Sequence, residues 1–413
     1  MAYRDAFIAR LRFSALVLGR ALVYATGFLY NFVFSKLLSP SEFGSFATVM
    51  SAAELLAALC TMGGSLLIYR YVRRSQAISV TAMALMMIVG TVIASLITIV
   101  VNGISELYGQ ILMNGLLVAV PLGASVLLIS GYRGLGRVTI FVIDPAIRYV
   151  LYISLIISAY LCVQIDSFGA LVTVSLANFI LATVYGGVLA WQKRLSTEIP
   201  PIEWNEQWSI LMTAVAGFMV RKSDLLIFAF GISLAAMGGL KIAIVLAEAP
   251  LQFVQVLYFQ HASLFEFQSS HADAKRRSVA VNLALTAVAL TLAMYAVSQV
   301  LQSTVLEQYR FTWALPYLAG YFLCKLITIP LDQAYVMGNK TRELMLTYGI
   351  MAGAKLLTLG AGIMLLGENA VLLYPIVGLV EICIVECSTR YSFGKSFFHL
   401  LIGSNPSVRL KSL

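Results

Sequence analysis

Charge is scarce in this chain. Asp, Glu, Lys and Arg make up 11% of its 413 residues, where an average soluble domain carries about 25%. With 60% of residues hydrophobic and a mean hydropathy of +0.89, the composition excludes an ordinary soluble domain: most of the chain meets lipid. Cysteine is sparse too. Cys60, Cys162, Cys324, Cys383 and Cys387 all lie in or at the end of apolar runs, and an odd set so placed reads as small buried apolar side chains, not a disulfide frame. The three histidines, His261, His271 and His399, lack metal-ligand spacing, so neither metal nor cofactor is expected. The nearest approach to a nucleotide-binding Gly-x-x-x-x-Gly-Lys-Ser/Thr loop is FGKS at 393–396, where Thr389 replaces the first glycine; no ATP site is expected.

What is present is a series of long apolar runs. A helix needs roughly 20 residues to cross a bilayer, and twelve such runs are legible: 13–36, 44–68, 78–101, 110–131, 139–162, 168–191, 208–231, 238–260, 279–300, 312–336, 344–366 and 371–390. Arg4, Arg10 and Arg12 before the first resemble the start of a signal peptide, but the run continues through Arg20 without a small-residue cleavage site, so it is expected to be a retained helix. Loops are short, 192–207 and 261–278 being the longest. The expected fold is therefore all-α and polytopic. It has two six-helix lobes, at 1–200 and 201–413, since six spans return the chain to the same side.

Sidedness follows from the cations. With the N-terminus cytoplasmic, 19 of the 28 Lys and Arg residues fall on that side, only Lys36 and Arg310 on the other, and seven within spans. This satisfies the positive-inside rule and places both termini in the cytoplasm. It also accounts for the net charge of +9 without nucleic acid as a partner.

One region is more specific. LLSPSEFGSFATVMSAAELLAALCTMGGSLLIYRYVRR at 37–74 resembles the first hairpin of the Wzx-type flippases, the polysaccharide-biosynthesis exporters that move lipid-linked oligosaccharides. The matching positions are Leu38, Pro40, Phe43, Gly44, Gly63, Gly64 and Arg70. Pro40 and Gly44 are expected in a tight external turn, and Gly63 and Gly64 at a close helix contact. YRGLGRV at 132–138 also looks like that family's loop, and YVMGNKT at 335–341 is its faint counterpart in the second half. The resemblance implies a MATE-like arrangement of two lobes around a cavity alternating between the membrane faces. It also implies residence in the cell inner membrane and, as pathway partners, a polymerase and a chain-length regulator.

The spans hold seven cations, Arg20, Arg148, Arg221, Lys222, Lys241, Lys325 and Lys355, and seven acids, Glu54, Asp144, Asp224, Glu248, Asp332, Glu381 and Glu386. A charge at the bilayer centre costs roughly 2.5–3.5 kcal/mol on insertion scales, so such residues usually face a bundle interior or a wet cavity. Asp144 and Arg148 at i,i+4, and Arg221 and Asp224 at i,i+3, can neutralise each other locally. Arg20, Lys222, Lys241, Lys325 and Lys355 have no acid at that spacing. Lys241, near the outer end of its span, can snorkel. For Lys222 two readings stand open: contact with a substrate anion, or a cross-helix pair with Glu381 or Glu248.

The substrate class implied is an undecaprenyl-diphosphate-linked oligosaccharide for O-antigen, capsule or exopolysaccharide. Candidate headgroup contacts are Arg20, Lys222, Lys325, Lys355, Arg148 and Arg221. A cation-coupled multidrug exporter of the same superfamily would instead use a titrating acid: Glu54, Asp144, Glu248, Asp332 or Glu381. A membrane polysaccharide polymerase or glycosyltransferase would need external catalytic residues, for which only Glu42, Glu106, Asp166, Glu307, Arg310 and Glu368 are available; an enzyme is not expected. Most of the 22 Phe and 20 Tyr are expected to face lipid or the interface.

Overall fold

A computed structural model describes residues 2–199, 204–260, 273–304, 306–310, 312–337, 340–394 and 396. Contacts divide the chain into two compact units, Met1–Ala229 with Ser233–Gly238, and Phe230–Ile232 with Gly239–Leu413. The helices of the seventh expected span thus group with the first unit.

The first unit holds α1 (Ala2–Leu37), α2 (Pro40–Cys60), α3 (Ser65–Ser75), α4 (Val80–Ile104), α5 (Glu106–Gly134), α6 (Val138–Cys162), α7 (Ser167–Trp191), α8 (Trp204–Lys222) and α9 (Asp224–Phe228). α2 is its central helix, packed on α4, α5, α7, α8 and α9, while α1 lies along α6 and α5 along α7. The second holds most of α10 (Leu234–Gln260), then α11 (Asp273–Thr304), α12 (Leu315–Met337), α13 (Thr341–Leu366), a 3-10 stretch Gly367–Leu373 and α14 (Tyr374–Phe393). Here α12 and α13 both pack on α14. Among the described residues, eight helical stretches are long and apolar enough to cross a membrane, one of them the run Arg342–Phe393 that contains α13 and α14.

Each expected span coincides with helix, but two are broken. The second divides into α2 and α3 at Thr61–Gly64, and the seventh into α8 and α9 at Ser223. At the first break Met62 and Gly63 take left-handed backbone, φ 53° and 64°. That conformation costs about 1–3 kcal/mol in a non-glycine residue. All four residues of the break are buried, as irregular backbone at membrane depth must be. The freed Met62 carbonyl accepts a hydrogen bond from Gln207 Nε2 on α8. Gly90 on α4 closes over the α2 end: a Cβ there would lie 2.3 Å from the Cys60 carbonyl oxygen.

The start of α2 corrects one expectation. Pro40 and Gly44 form no external turn. Ser39 caps the helix, its Oγ accepting from Glu42 N at 3.4 Å while Glu42 Oε2 accepts from Ser39 N at 2.9 Å. Pro40 occupies the first helical position, where its missing N–H costs nothing. Gly44 lies inside α2, and a Cβ there would sit 1.7 Å from the Leu234 carbonyl oxygen, so glycine is required by backbone contact.

Two further expectations change. Aromatic side chains build the core: Phe34, Phe43, Phe46, Tyr132, Phe228, Tyr321, Tyr335 and Tyr374 are fully buried. Without a hydrophobic drive between helices in lipid, association rests on shape-matched contact and on hydrogen bonds such as Tyr132 Oη to the Tyr185 carbonyl at 3.2 Å. Of the five free cysteines only Cys60 is buried; Cys162, Cys383 and Cys387 are exposed on helix surfaces.

Candidate functional site

In the first unit the break between α8 and α9 places Lys222 at a helix end, beside α2. Its Nζ lies 2.6 Å from Glu54 Oε2. The side chains are 52% and 37% exposed, respectively, so this ion pair within membrane spans is open on one side. Neither Glu381 nor Glu248 is the partner found here. Arg221 turns back along its own helix, Nε donating to the Gly217 carbonyl at 3.1 Å, and Asp224 is buried at the start of α9.

Deeper in the same unit is a closed polar network. Arg148 on α6 donates to Asp144 Oδ2 at 2.8 Å, to Ser125 Oγ on α5 at 2.8 Å, and to Asn178 Oδ1 on α7. Tyr152 Oη donates to the same Asn178 oxygen at 3.0 Å, and Tyr185 Oη to Asp144 Oδ1 at 2.7 Å. Asp144 and Arg148 are 5% and 7% exposed. The local pair expected from the i,i+4 spacing is therefore present, with α5, α6 and α7 each contributing a polar group around it. The two clusters are joined by rings. Tyr30 on α1 interacts electrostatically with Glu54, and its ring centroid lies 5.2 Å from that of Tyr149 and 5.6 Å from that of Tyr152.

The second unit has a cluster of its own. Lys325 on α12 sits 4.4 Å from the Tyr321 ring centroid, and Lys355 on α13 sits 5.5 Å from it. Tyr321 Oη donates to Glu381 Oε1 on α14 at 3.3 Å. Lys325 is 6% exposed and Lys355 0%, so both are enclosed in this conformation. Each unit thus builds a charged core from three adjacent helices with the cation of interest on the middle one, Arg148 on α6 and Lys355 on α13.

Among the other sequence candidates, Glu248 accepts a hydrogen bond from Gln252 on its own helix, and Lys241 is partly buried on α10. Glu386 holds Arg390 at 2.6 Å. Arg20 lies on α1 and Asp332 on α12, but their side chains lie outside the described residues, as do His261, His271 and His399. Among the described residues no cluster of His, Cys, Asp or Glu is arranged to hold a metal. Of the external charges, Glu42 and Asp166 cap α2 and α7, and Glu106 accepts from Gln110.

Sequence reasoning missed Asn178, Ser125, Tyr152 and Tyr185 as partners of the Arg148 pair. The signal was the lone amide in SLANFILA at 175–182, which burial in a span obliges to find polar partners.

No protein-family model matches the chain, and no characterised protein matches its sequence. The fold does have solved counterparts. The MATE multidrug transporter DinF-BH, solved as a complex with a small molecule, aligns with a TM-score of 0.54 and 10% identity over 95% of this chain and 96% of its own. The eukaryotic MATE transporter AtDTX14 aligns at 0.52 and 11% over 95% and 97%. The Vibrio cholerae MATE transporter VcmN, in a mutant form, aligns at 0.52 and 11% over 93% and 96%. The chain has the MATE fold and is an all-α, multi-pass membrane protein.

Proposed function

We propose that this chain is an exporter that moves an undecaprenyl-diphosphate-linked oligosaccharide from the cytoplasmic to the outer leaflet of the cell inner membrane by alternating access, with both termini cytoplasmic. The observation that carries this reading is the Lys222–Glu54 pair. An ion pair left half open within membrane spans needs water beside it, since charges in hydrocarbon are too costly. In the empty state Glu54 holds Lys222. An arriving diphosphate, with more charge and more acceptors than one carboxylate, competes for the ammonium and replaces part of its own lost hydration. The enclosed Arg148–Asp144 network then serves as scaffold, and Lys325 and Lys355 become available only if the second unit opens around Tyr321. The hairpin at 37–74 supports the same family: its Leu-x-Pro-x-x-Phe-Gly segment has a capping box and a backbone contact that explain Pro40 and Gly44.

A second reading, a cation-coupled multidrug exporter, is favoured by the fold of DinF-BH and would use Glu54 as the titrating group. Deletion and complementation separate the two. The flippase reading expects loss of surface polysaccharide without the gene and unchanged susceptibility to cationic dyes. Normal polysaccharide with increased dye sensitivity would overturn it in favour of the second.

A further inference from the structure

We propose that the end of the first unit built by α3 and the α5–α6 turn is a docking site for the phosphates of a membrane-anchored lipid, taken up before the headgroup enters the spans. The identity of that lipid as the exported diphosphate rests on the function proposed above.

The centre of the site is Arg133. Its guanidinium carbon lies 4.7 Å from the Tyr69 ring centroid and 4.9 Å from that of Phe141, while the residue stays exposed. Two aromatic neighbours hold the planar cation by its faces and leave its N–H edge as the donor fork that matches a phosphate bidentately. Arg73 Nη1 donates to the hydroxyl of the same Tyr69 at 3.4 Å, which brings a second guanidinium alongside. Arg137 stands 6.0 Å from the Tyr132 ring, and Arg70 is exposed on the same helix as Arg73, one turn earlier.

The platform beneath is rigid. Ile68 and Val72, the inner face of α3, pack in one cluster with Ile78, Leu127 and Tyr132. The segment after α3 is strapped to the one after α7 by a short parallel pair, β1 (Ile78–Ser79) with β2 (Leu195–Ser196), and by Thr81 Oγ1 to the Thr197 carbonyl at 2.9 Å. Across 65–81, 132–141 and 192–199 the only carboxylate is Glu198. Among the described residues no carboxylate pairs with Arg133, Arg73 or Arg137. Loops that only set sidedness need positive charge and no orientation; a guanidinium stacked between two rings is oriented.

The test is equilibrium binding of geranylgeranyl diphosphate, which carries no sugar, to the full chain in phosphatidylcholine nanodiscs. The protein carries Lys222→Ala, so that the intramembrane cation does not contribute. Geranylgeraniol should bind far more weakly, and Arg133→Ala should weaken the diphosphate about tenfold or more. Arg133→Lys keeps the charge without the planar fork and should recover only part of it. Competition by a small fraction of phosphatidylglycerol would assign the site to headgroup phosphates in general; resistance to it would assign the site to the diphosphate. Equal binding of diphosphate and alcohol, or unchanged affinity in well-folded Arg133→Ala, overturns the proposal. A protein that binds the probe but supports no polysaccharide export would overturn the proposed function and leave this site standing.

Discussion

The ammonium of Lys222 and the carboxylate of Glu54 meet at 2.6 Å although 168 residues separate them in the chain. If this pair lines the translocation path, the sign of charge matters more than side-chain shape. Lys222→Arg should retain substantial export. Lys222→Glu sets two carboxylates against each other and should lower export about tenfold or more, ~1.4 kcal/mol of added repulsion being enough. All variants should reach the membrane. Reversing the pair, with Lys222→Glu and Glu54→Lys together, should restore protein stability without restoring export, because the cation then sits on the wrong helix. Surface polysaccharide normalised to membrane protein is the readout; normal polysaccharide from Lys222→Glu alone would remove Lys222 from the site.

The Arg148–Asp144 network is expected to behave as structure. Removing one partner leaves a buried uncompensated charge, a loss of roughly 3–5 kcal/mol, so Arg148→Met should sharply lower the level of folded protein. Arg148→Met with Asp144→Leu should recover much of it, since an apolar replacement of both partners is often neutral. A normal level of inactive Arg148→Met protein would show that the network acts in transport instead.

Gly44 tests the packing at the start of α2. Any side chain there meets the Leu234 carbonyl, and the overpacking should cost about 1–3 kcal/mol even for Gly44→Ala. Gly187, with nothing within 4 Å of its missing Cβ, is the control: Gly187→Ala should be neutral or slightly stabilising. Thermal stability of the two purified variants in detergent decides, and equal stability would refute the close contact.

These residues show how far the sequence is legible. The helix start at Ser39-Pro40-Ser41-Glu42 and the Asp144–Arg148 pair are written in local spacing, because caps and i,i+4 partners lie within one turn. The twelve apolar runs are legible for the same reason, lipid imposing a length on each. What Gly44 and Lys222 touch is not legible, since Leu234 and Glu54 lie far along the chain and only tertiary packing unites them. The breaks at 61–64 and at Ser223 were hidden by apolar flanks long enough to read as unbroken spans. Gly63-Gly64 carried the signal for the first, but their spacing fits close helix approach equally well, and the structure shows both: Gly63 is left-handed and its missing Cβ would lie 3.1 Å from Leu211 Cα on α8.

Sidedness rests on the cation count and is open to a direct check. Reporter fusions in the 192–199 loop should be active only inside the cell and fusions at 163–166 only outside. The reverse pattern would invert the orientation and remove the docking site from the cytoplasmic face.

The central claim, movement of a lipid-linked oligosaccharide between leaflets, is tested most directly with purified protein in liposomes. The liposomes are loaded with undecaprenyl-diphosphate-linked oligosaccharide from the same cells, and external glycosidase reports how much of the sugar is reachable over time. The account predicts that wild-type protein renders the initially protected, inner-leaflet half reachable, and that Lys222→Glu protein, reconstituted to the same level, leaves it protected. Protection that persists with active wild-type protein, or equal loss of protection with both proteins, would contradict it.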